Sequence, residues 1–466
     1  MTLPARASSR PLAGLAVVGL GASLASMDVA VNVAFPAITA AFSLETRAIR
    51  WVVVYYVVTY ACLMLAFGRL GDAIGHRQVF RAGLILGVFA YAGCALAPDY
   101  SWLLLARIVQ GISTALVLSC APALATQLFA EDRRTKALSA YAAMSALAAV
   151  VAPVVGGLSI VWLDWSGVFW FRVPIVLLAL AALPLVPATP RPPDRAAAEP
   201  DRVGPILLAA AIASLLLSPS VIGAEASPSS SLLLGSIGIV CLLGFVTQQH
   251  RTANPFFPRS AVRDLDFVLL NLFSIAVNFV AFAVPLLVPY YLARISGYGG
   301  DGIGAALALS PLGMLLGSVC APRAARAFGT RRSALLGACA VTSGSFLIAA
   351  WPSQTHLPLM LASLLLNGAG LGLFQVAYTD VTVSTLARDA RGVAGSLTMV
   401  TRTIGVVTAA SALTGALAYL ERRHGGTGDD ALTAFAGAFS TVFLAIAIAL
   451  AVLLALGCLR RRLWLQ

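Results

Sequence analysis

Apolar runs of membrane-spanning length recur along this chain, and the short turns between them hold most of its charge. About 20 apolar residues cross the hydrocarbon core of a bilayer as a helix. Such runs are read at about 11–40, 50–68, 79–97, 102–124, 136–163 and 169–186, then at 203–221 and 231–249, and finally at 267–294, 303–321, 333–350, 357–386, 392–420 and 431–459. Backbone N–H and C=O groups in lipid must be bonded within the protein, and runs this long satisfy that need only as helices. The chain is 59% hydrophobic and 11% charged, against roughly 45–50% and 25% for soluble domains. The expectation is an all-α polytopic membrane protein of 14 transmembrane helices. The first run continues well past a signal-peptide core, so it is read as a membrane helix.

The order of the runs suggests the organisation. Residues 1–187 hold six runs, 188–202 form a polar, proline-bearing linker, 203–250 hold two runs without a charge, and 251–466 hold six more. The turn at 67–81, FGRLGDAIGHRQVFR, is charged and punctuated by glycine. A turn of this kind belongs on the wet side of the membrane, and its arginines assign that side to the cytoplasm. Of the 31 Lys and Arg residues, 23 fall in turns and tails on the side of 67–81, and five fall on the other. This asymmetry supports an even span count with both termini cytoplasmic, in a plasma (inner) membrane. It also accounts for the net charge of +12 without nucleic acid.

Several chemistries are excluded. Lys136 is the only lysine, and it sits between Thr135 and Ala137, so no Walker A loop is present. The seven cysteines lie in apolar runs without a C-x-x-C pair and read as small buried hydrophobes. The four histidines, His76, His250, His356 and His424, fall in predicted loops. No metal site, cofactor or enzymatic nucleophile–base set is expected.

An ionised side chain in hydrocarbon costs at least about 2.5–3.5 kcal/mol on insertion scales, so the few such residues are examined first. They are Asp28, Arg107, Arg172, Asp380 and Arg402. Asp28 lies about 26 Å along the first helix at 1.5 Å per residue. It reads either as a proton or cation site or as a carboxylate bonded to a neighbouring helix. Arg107 can hold that carboxylate's charge or pack against backbone carbonyls. Arg172 precedes Pro174 and can line a substrate pathway or snorkel to the interface. Arg402 can anchor an anionic substrate or brace the two halves. Asp380 is a second proton-coupling candidate, or it pairs with a loop arginine such as Arg388. Asn271 and Asn278, seven residues apart, share a helix face and could line a polar pathway.

Four motifs then carry a resemblance. Gly68, Leu70, Asp72, Gly75 and Arg77 match the signature turn G-x-L-a-D-r-x-G-r-k of the major facilitator superfamily, with Ala73 in place of a basic residue. The stretch MDVAVNVAFP, with Asp28, Asn32, Ala34 and Pro36, resembles the first-helix motif L-D-x-T-x-V-N-V-A-L-P of drug:proton antiporters, but is one residue shorter between Asp28 and Pro36. One residue turns a helix by about 100°, so Asp28 is expected on a different wall unless a local bulge restores it. Arg107, Gln110, Gly111 and Ala115 match R-x-x-Q-G-x-g-a-A. Pro153, Gly156 and Gly157 match G-x-x-x-G-P-x-x-G-G, with Ala148 and Ala152 for glycine. A fainter echo of the signature turn lies at 321–333, where Gly329, Arg331 and Arg332 stand as Gly75 and Arg77 do, and Arg326 stands for Asp72.

The chain therefore resembles the fourteen-helix drug:proton antiporter branch of that superfamily. The resemblance implies two pseudo-symmetric six-helix bundles, with two extra central helices, that rock about a midplane cavity. It implies proton-driven export of lipophilic, cationic compounds, with small-molecule substrate, protons and the lipid bilayer as partners and a monomer as the working unit. Asp28, Arg107 and Asp380 would couple protons. Asn32, Gln110, Asn271, Asn278, Arg402 and Arg172 would line the substrate pathway. Gly68, Asp72, Gly75 and Arg77 would gate the cytoplasmic side, and Pro153, Gly156 and Gly157 would form a hinge. Two other readings stay open. One is export of a single endogenous metabolite, an anion included, anchored on Arg402 or Arg172. The other is a non-transporting receptor or scaffold, for which a sizeable soluble domain would be expected.

Overall fold

The computed structural model describes residues 9–129, 133–187, 203–221, 228–251, 265–351, 357–385, 391–424 and 429–460. The linker 188–202 and Arg388 lie outside the described residues. Among the described residues eleven stretches are long and apolar enough to cross a membrane. One of them, Lys136–Leu185, has 50 residues, enough for two crossings at ~20 residues each. It is broken at a 3₁₀ turn, Asp164–Ser166.

The N-terminal half comprises α1 (Ser9–Ser26), α2 (Val29–Val33), α3 (Phe35–Ala41), α4 (Arg50–Ile74), α5 (His76–Ala95), α6 (Tyr100–Gln127), α7 (Arg134–Leu163), α8 (Gly167–Trp170) and α9 (Arg172–Ala182). Next come α10 (Val203–Val221) and α11 (Pro228–Arg251). The C-terminal half comprises α12 (Leu265–Arg294), α13 (Gly300–Leu307), α14 (Leu309–Phe328), α15 (Thr330–Ala349), α16 (Leu357–Thr385), α17 (Arg391–His424) and α18 (Asp429–Leu459). Helices α10 and α11 pack on each other, and α10 also lies against α4 and α17. The central pair thus sits beside the seam between the halves.

The turn at 67–81 is mostly helical. Helix α4 runs on to Ile74 and α5 starts at His76, leaving Gly75 alone between them. The helix outlasts its apolar run because water can solvate the extra turn. It stops at Gly75, whose φ of +102° strains any residue with a Cβ. Gly329, at φ +88° between α14 and α15, repeats the device in the second half. Three of the histidines placed in loops lie on helices: His76 opens α5, His250 lies in the last turn of α11 and His424 closes α17; His356 lies outside the described residues.

The first span is not one helix. Its backbone bonds tighten from four-residue to three-residue spacing at Asp28→Ala25, Ala30→Met27, Val31→Asp28 and Ala34→Val31, at 2.9–3.2 Å. A 3₁₀ residue advances 120° rather than 100°. Three of these bonds reach into the stretch from Asp28 to Pro36, and at about 20° each they add about 60°, part of the turn that one missing residue removes. This overwinding turns Asp28 part of the way back toward the face that the longer motif would give it.

The halves meet at the end remote from the 67–81 turn. Helix α7 packs on α13 and α14, α12 on α2 and α3, and α17 on α4. Gly157 touches the Gly300 backbone so closely that a Cβ there would collide with the Gly300 carbonyl oxygen. Gly156 leaves no more room, since its Cβ would fall 2.7 Å from that of Ala30. Polar groups bridge the same end. Tyr290 and Thr39 share a hydroxyl–hydroxyl bond of 2.7 Å, and Arg294 Nη2 donates to Thr46 Oγ1 at 3.1 Å. One large apolar cluster joins both halves around these contacts, and a second is confined to the N-terminal half.

The cysteines divide. Cys94 and Cys120 are buried, Cys62 and Cys241 are intermediate, and Cys320, Cys339 and Cys458 are exposed. The expectation of uniform burial fails for the last three. An apolar run in a membrane protein can satisfy a small thiol against lipid as well as against the core.

Candidate functional site: a carboxylate held by two arginines

Asp28 occupies the tightened turn between α1 and α2. Three other helices aim donors at its carboxylate or frame them. From α6, Arg107 reaches both oxygens in a fork, Nη1 to Oδ1 at 2.7 Å and Nη2 to Oδ2 at 2.9 Å. Gln110, one turn further along α6, donates Nε2 to Oδ1 at 2.9 Å. From the start of α9, Arg172 donates Nη1 to Oδ1 at 3.0 Å. From α4, the Val52 carbonyl accepts Arg107 Nε at 2.9 Å, and the Tyr56 ring lies 4.2 Å under the same guanidinium.

The spacing on α6 explains how one helix supplies two of the donors. Residues three apart share a face, so Arg107 and Gln110 both point at α1. Gln110 also accepts Arg107 Nη1 through Oε1 at 2.8 Å, which fixes its amide orientation. Arg107, Gln110 and Arg172 are each at most 1% exposed. Planar, bidentate carboxylate recognition of this kind is where arginine outperforms lysine.

Arg172 does not snorkel. It is fully buried, with the rings of Tyr91, Phe169 and Phe171 within 5.5–5.8 Å. The short 3₁₀ turn and α8 before it carry Arg172 back into the bundle instead of out to the interface. Asn32, four residues beyond Asp28 on α2, is buried as well.

A second polar network lies in the C-terminal half. Tyr378 donates its hydroxyl to Asn271 Oδ1 at 2.7 Å and lies 3.3 Å from Thr401 Oγ1. Gln375 Nε2 donates to Asn278 Oδ1 at 2.8 Å, and Ser274 bonds Thr401 at 3.1 Å. Asn271 and Asn278 are thus on one face, as their spacing predicts. Gln375, Tyr378, Thr401 and Ser274 were missed. The only signal for them was polar residues at helical spacing in apolar helices.

Other candidates stand apart from Asp28. Asp380 is exposed and accepts from Thr330 Oγ1 at 3.2 Å, beside the Gly329 turn. Arg402 is exposed on α17, near enough to Tyr60 of α4 to act on it electrostatically. Asp72 is exposed and pairs with His76 Nε2 at 3.2 Å, not with Arg77. Arg77 instead points Nη2 at the Leu183 carbonyl, 3.4 Å away. Four residues separate Asp72 from His76, one helical turn across the Gly75 break. Gly68 lies on α4 facing Ser119 of α6.

Residues 17–287 match the family model described as Major Facilitator Superfamily, more than half of the chain. The chain belongs to the major facilitator superfamily. This superfamily member is a membrane transporter of small molecules and not an enzyme. It is 27% identical over 427 residues to the puromycin resistance protein of Streptomyces alboniger, covering 88% of this chain and 84% of that one. It is 23% identical over 384 residues to a riboflavin transporter of Clostridioides difficile, covering 82% and 83%. Its fold is similar to that of a bacterial homologue of the human lysosomal transporter Spinster in an inward-facing, unoccupied conformation. That match has a TM-score of 0.68 and 16% identity, covering 100% of this chain and 98% of that one.

Proposed function

We propose that this superfamily member is a fourteen-helix, proton-coupled exporter of lipophilic, cationic compounds in a plasma membrane, working as a monomer. The carrying observation is Asp28, a carboxylate inside the N-terminal half at a helix break, bonded to Arg107, Gln110 and Arg172. Every donor around it favours an anion, since three of them bond Oδ1 and one bonds Oδ2. Proton uptake is therefore favoured when the cluster loosens, and loosening is what relative motion of α1, α6 and α9 provides. Similarity to a puromycin resistance protein supports a drug-like cargo.

With the 67–81 turn and both termini in the cytoplasm, the conformer closed at Thr39–Tyr290 and Gly157–Gly300 is the one sealed from outside. Asp28 takes a proton when the outer end opens, and the protonated carboxyl releases Arg107. Cargo then displaces the proton on the cytoplasmic side. Gly68, Asp72, Gly75 and Arg77 act as the cytoplasmic gate, and Pro153, Gly156 and Gly157 set the hinge, Pro153 and Gly157 against α13 and Gly156 against α2. Asp380 serves the gate of the second half, through Thr330, and not the proton path.

The test is uptake of candidate compounds into everted vesicles under an imposed pH gradient. Accumulation that collapses with the gradient supports the reading. Accumulation indifferent to the gradient removes it. A second reading, export of one endogenous anionic metabolite, draws on Arg402, a cation facing α4 across the seam. Competition between anionic metabolites and lipophilic cations in the same vesicles separates the two.

A further inference from the structure

Arg107 is held along its edge and on its face. The edge of the guanidinium carries the hydrogen bonds: Nη1 and Nη2 to Asp28, Nη1 also to Gln110 Oε1, and Nε to the Val52 carbonyl. Its flat face rests on the Tyr56 ring, 4.2 Å from the centroid. Val52 and Tyr56 are four residues apart on α4, so they share a face and hold Arg107 together. Both are nearly closed to solvent, at 0% and 4% exposure.

Arg172 has no such hold. Its rings stand 5.5–5.8 Å away, and its buried Nε and Nη2 have no hydrogen-bond partner among the described residues. The attraction between a cation and an aromatic face is strongest at close range and with water excluded. Tyr56 meets both conditions.

The fit depends on a glycine. Gly111 lies one turn beyond Arg107 on α6, and a Cβ there would fall 2.7 Å from that of Thr59 and 2.9 Å from the Tyr56 carbonyl oxygen. This close crossing lets α4 lay a ring against a guanidinium rooted on α6. The contact continues along α4, where the Tyr60 ring meets Tyr56 edge-on at 5.2 Å. Helix α4 in turn packs on α17 of the other half.

A proton on Asp28 changes what Arg107 faces. The guanidinium keeps its charge, while the acid it forks onto becomes neutral. A buried charge that loses its counter-charge is costly. What remains to carry it are the Val52 carbonyl, the Gln110 amide oxygen and the face of Tyr56.

We infer that Tyr56 is a positioning residue for the proton step: its ring face carries the Arg107 charge while Asp28 is protonated, and so ties α4 to the state of that carboxyl. The inference rests on the reading of Asp28 as the proton carrier. It adds α4 to the helices that respond to the proton, and α4 is the one among them that reaches α17 across the seam.

The test uses full-length protein with residue 56 changed to Leu, to Phe, and to mono-, di- and trifluorinated phenylalanine. Fluorine draws electron density from the ring face, which is what a cation feels, and changes the size of the ring little. A packing role would therefore not respond to it. Substrate-driven proton release is measured in everted vesicles. Tyr56→Leu is expected to lower it about 30-fold, the worth of a desolvated cation–ring contact. Tyr56→Phe is expected to restore most of it, and the fluorinated series to lose it again in steps. Melting temperature in lipid nanodiscs supplies a second readout. It should fall along the series by larger steps in Asp28→Asn than with Asp28 present, because the ring's share grows when the anion is gone. Should Asp28→Asn fail to fold, the stepwise loss of release with Asp28 present decides alone. A flat release series, equal melting steps in the two backgrounds, or Tyr56→Leu as active as Tyr56→Phe would overturn the proposal. Absence of substrate-driven release in the wild-type protein would sink the proposed function and this inference with it. Release in the wild type with a flat series would sink this inference alone.

Discussion

Replacing Tyr290 by Phe removes one hydroxyl from the seal between the halves. That hydroxyl bonds Thr39 Oγ1 at 2.7 Å and lies 3.5 Å from the Phe35 carbonyl oxygen. Thr39 would not be orphaned, because its hydroxyl also donates to Phe35 O within its own helix at 2.7 Å. The loss is therefore the net value of one hydrogen bond, about 0.5–1.5 kcal/mol, without the larger penalty of a stranded polar group. When this end opens, water can bond both groups in either variant, so the whole loss falls on the closed form. The closed-to-open ratio should drop about 2- to 13-fold. Spin labels on Ser43→Cys and Asp301→Cys, in a background without native cysteines, report this by pulsed dipolar spectroscopy as a growing long-distance population. Thr39→Val should produce a similar shift, and Tyr290→Phe added to it should produce little more, since the two share one bond. An unchanged distance distribution in Tyr290→Phe would refute the assignment of this contact as a seal.

Other outcomes follow from the same geometry. Asp28→Asn removes the anion between two buried guanidiniums, a loss of the kind that costs about 3–5 kcal/mol. Substrate-driven proton release from everted vesicles should be lost in protein that still folds, and undiminished release would take Asp28 out of the mechanism. Gly157→Ala drives a methyl into the Gly300 carbonyl, an overpacking of about 1–3 kcal/mol. The Ser43–Asp301 label pair should then report separation at the same end as Tyr290→Phe. Gly75→Ala forces a Cβ into positive φ at about 1–2 kcal/mol, so its melting temperature should fall. Tyr378→Phe breaks the link between Asn271 and Thr401, and a several-fold rise in the substrate KM with kcat unchanged is expected if this network lines the pathway. An unaltered KM would assign the network to packing.

Much of this was legible in the amino-acid order. Membrane class and helical character follow from run length, because lipid leaves a backbone no other bonding choice over such stretches. Asp28, Arg107 and Arg172 stood out for the same reason: an ion in hydrocarbon is expensive and must answer to something. Gly75 and Gly329 announced their turns, since a positive φ is a local demand that local sequence can meet. Tertiary structure decided what sequence spacing could not. Arg172 and Asp28 are 144 residues apart, and nothing in either helix says that α8 folds back to bring them to 3.0 Å. The shortened first-helix motif did not say which neighbours Asp28 would meet, and only the fold shows the tightened turn that carries it. The Thr39–Tyr290 seal, the Gly157–Gly300 contact and the unmatched donors of Arg172 are likewise properties of helices meeting. Periodicity reports which face of a helix is apolar, and only packing says which neighbour that face will find.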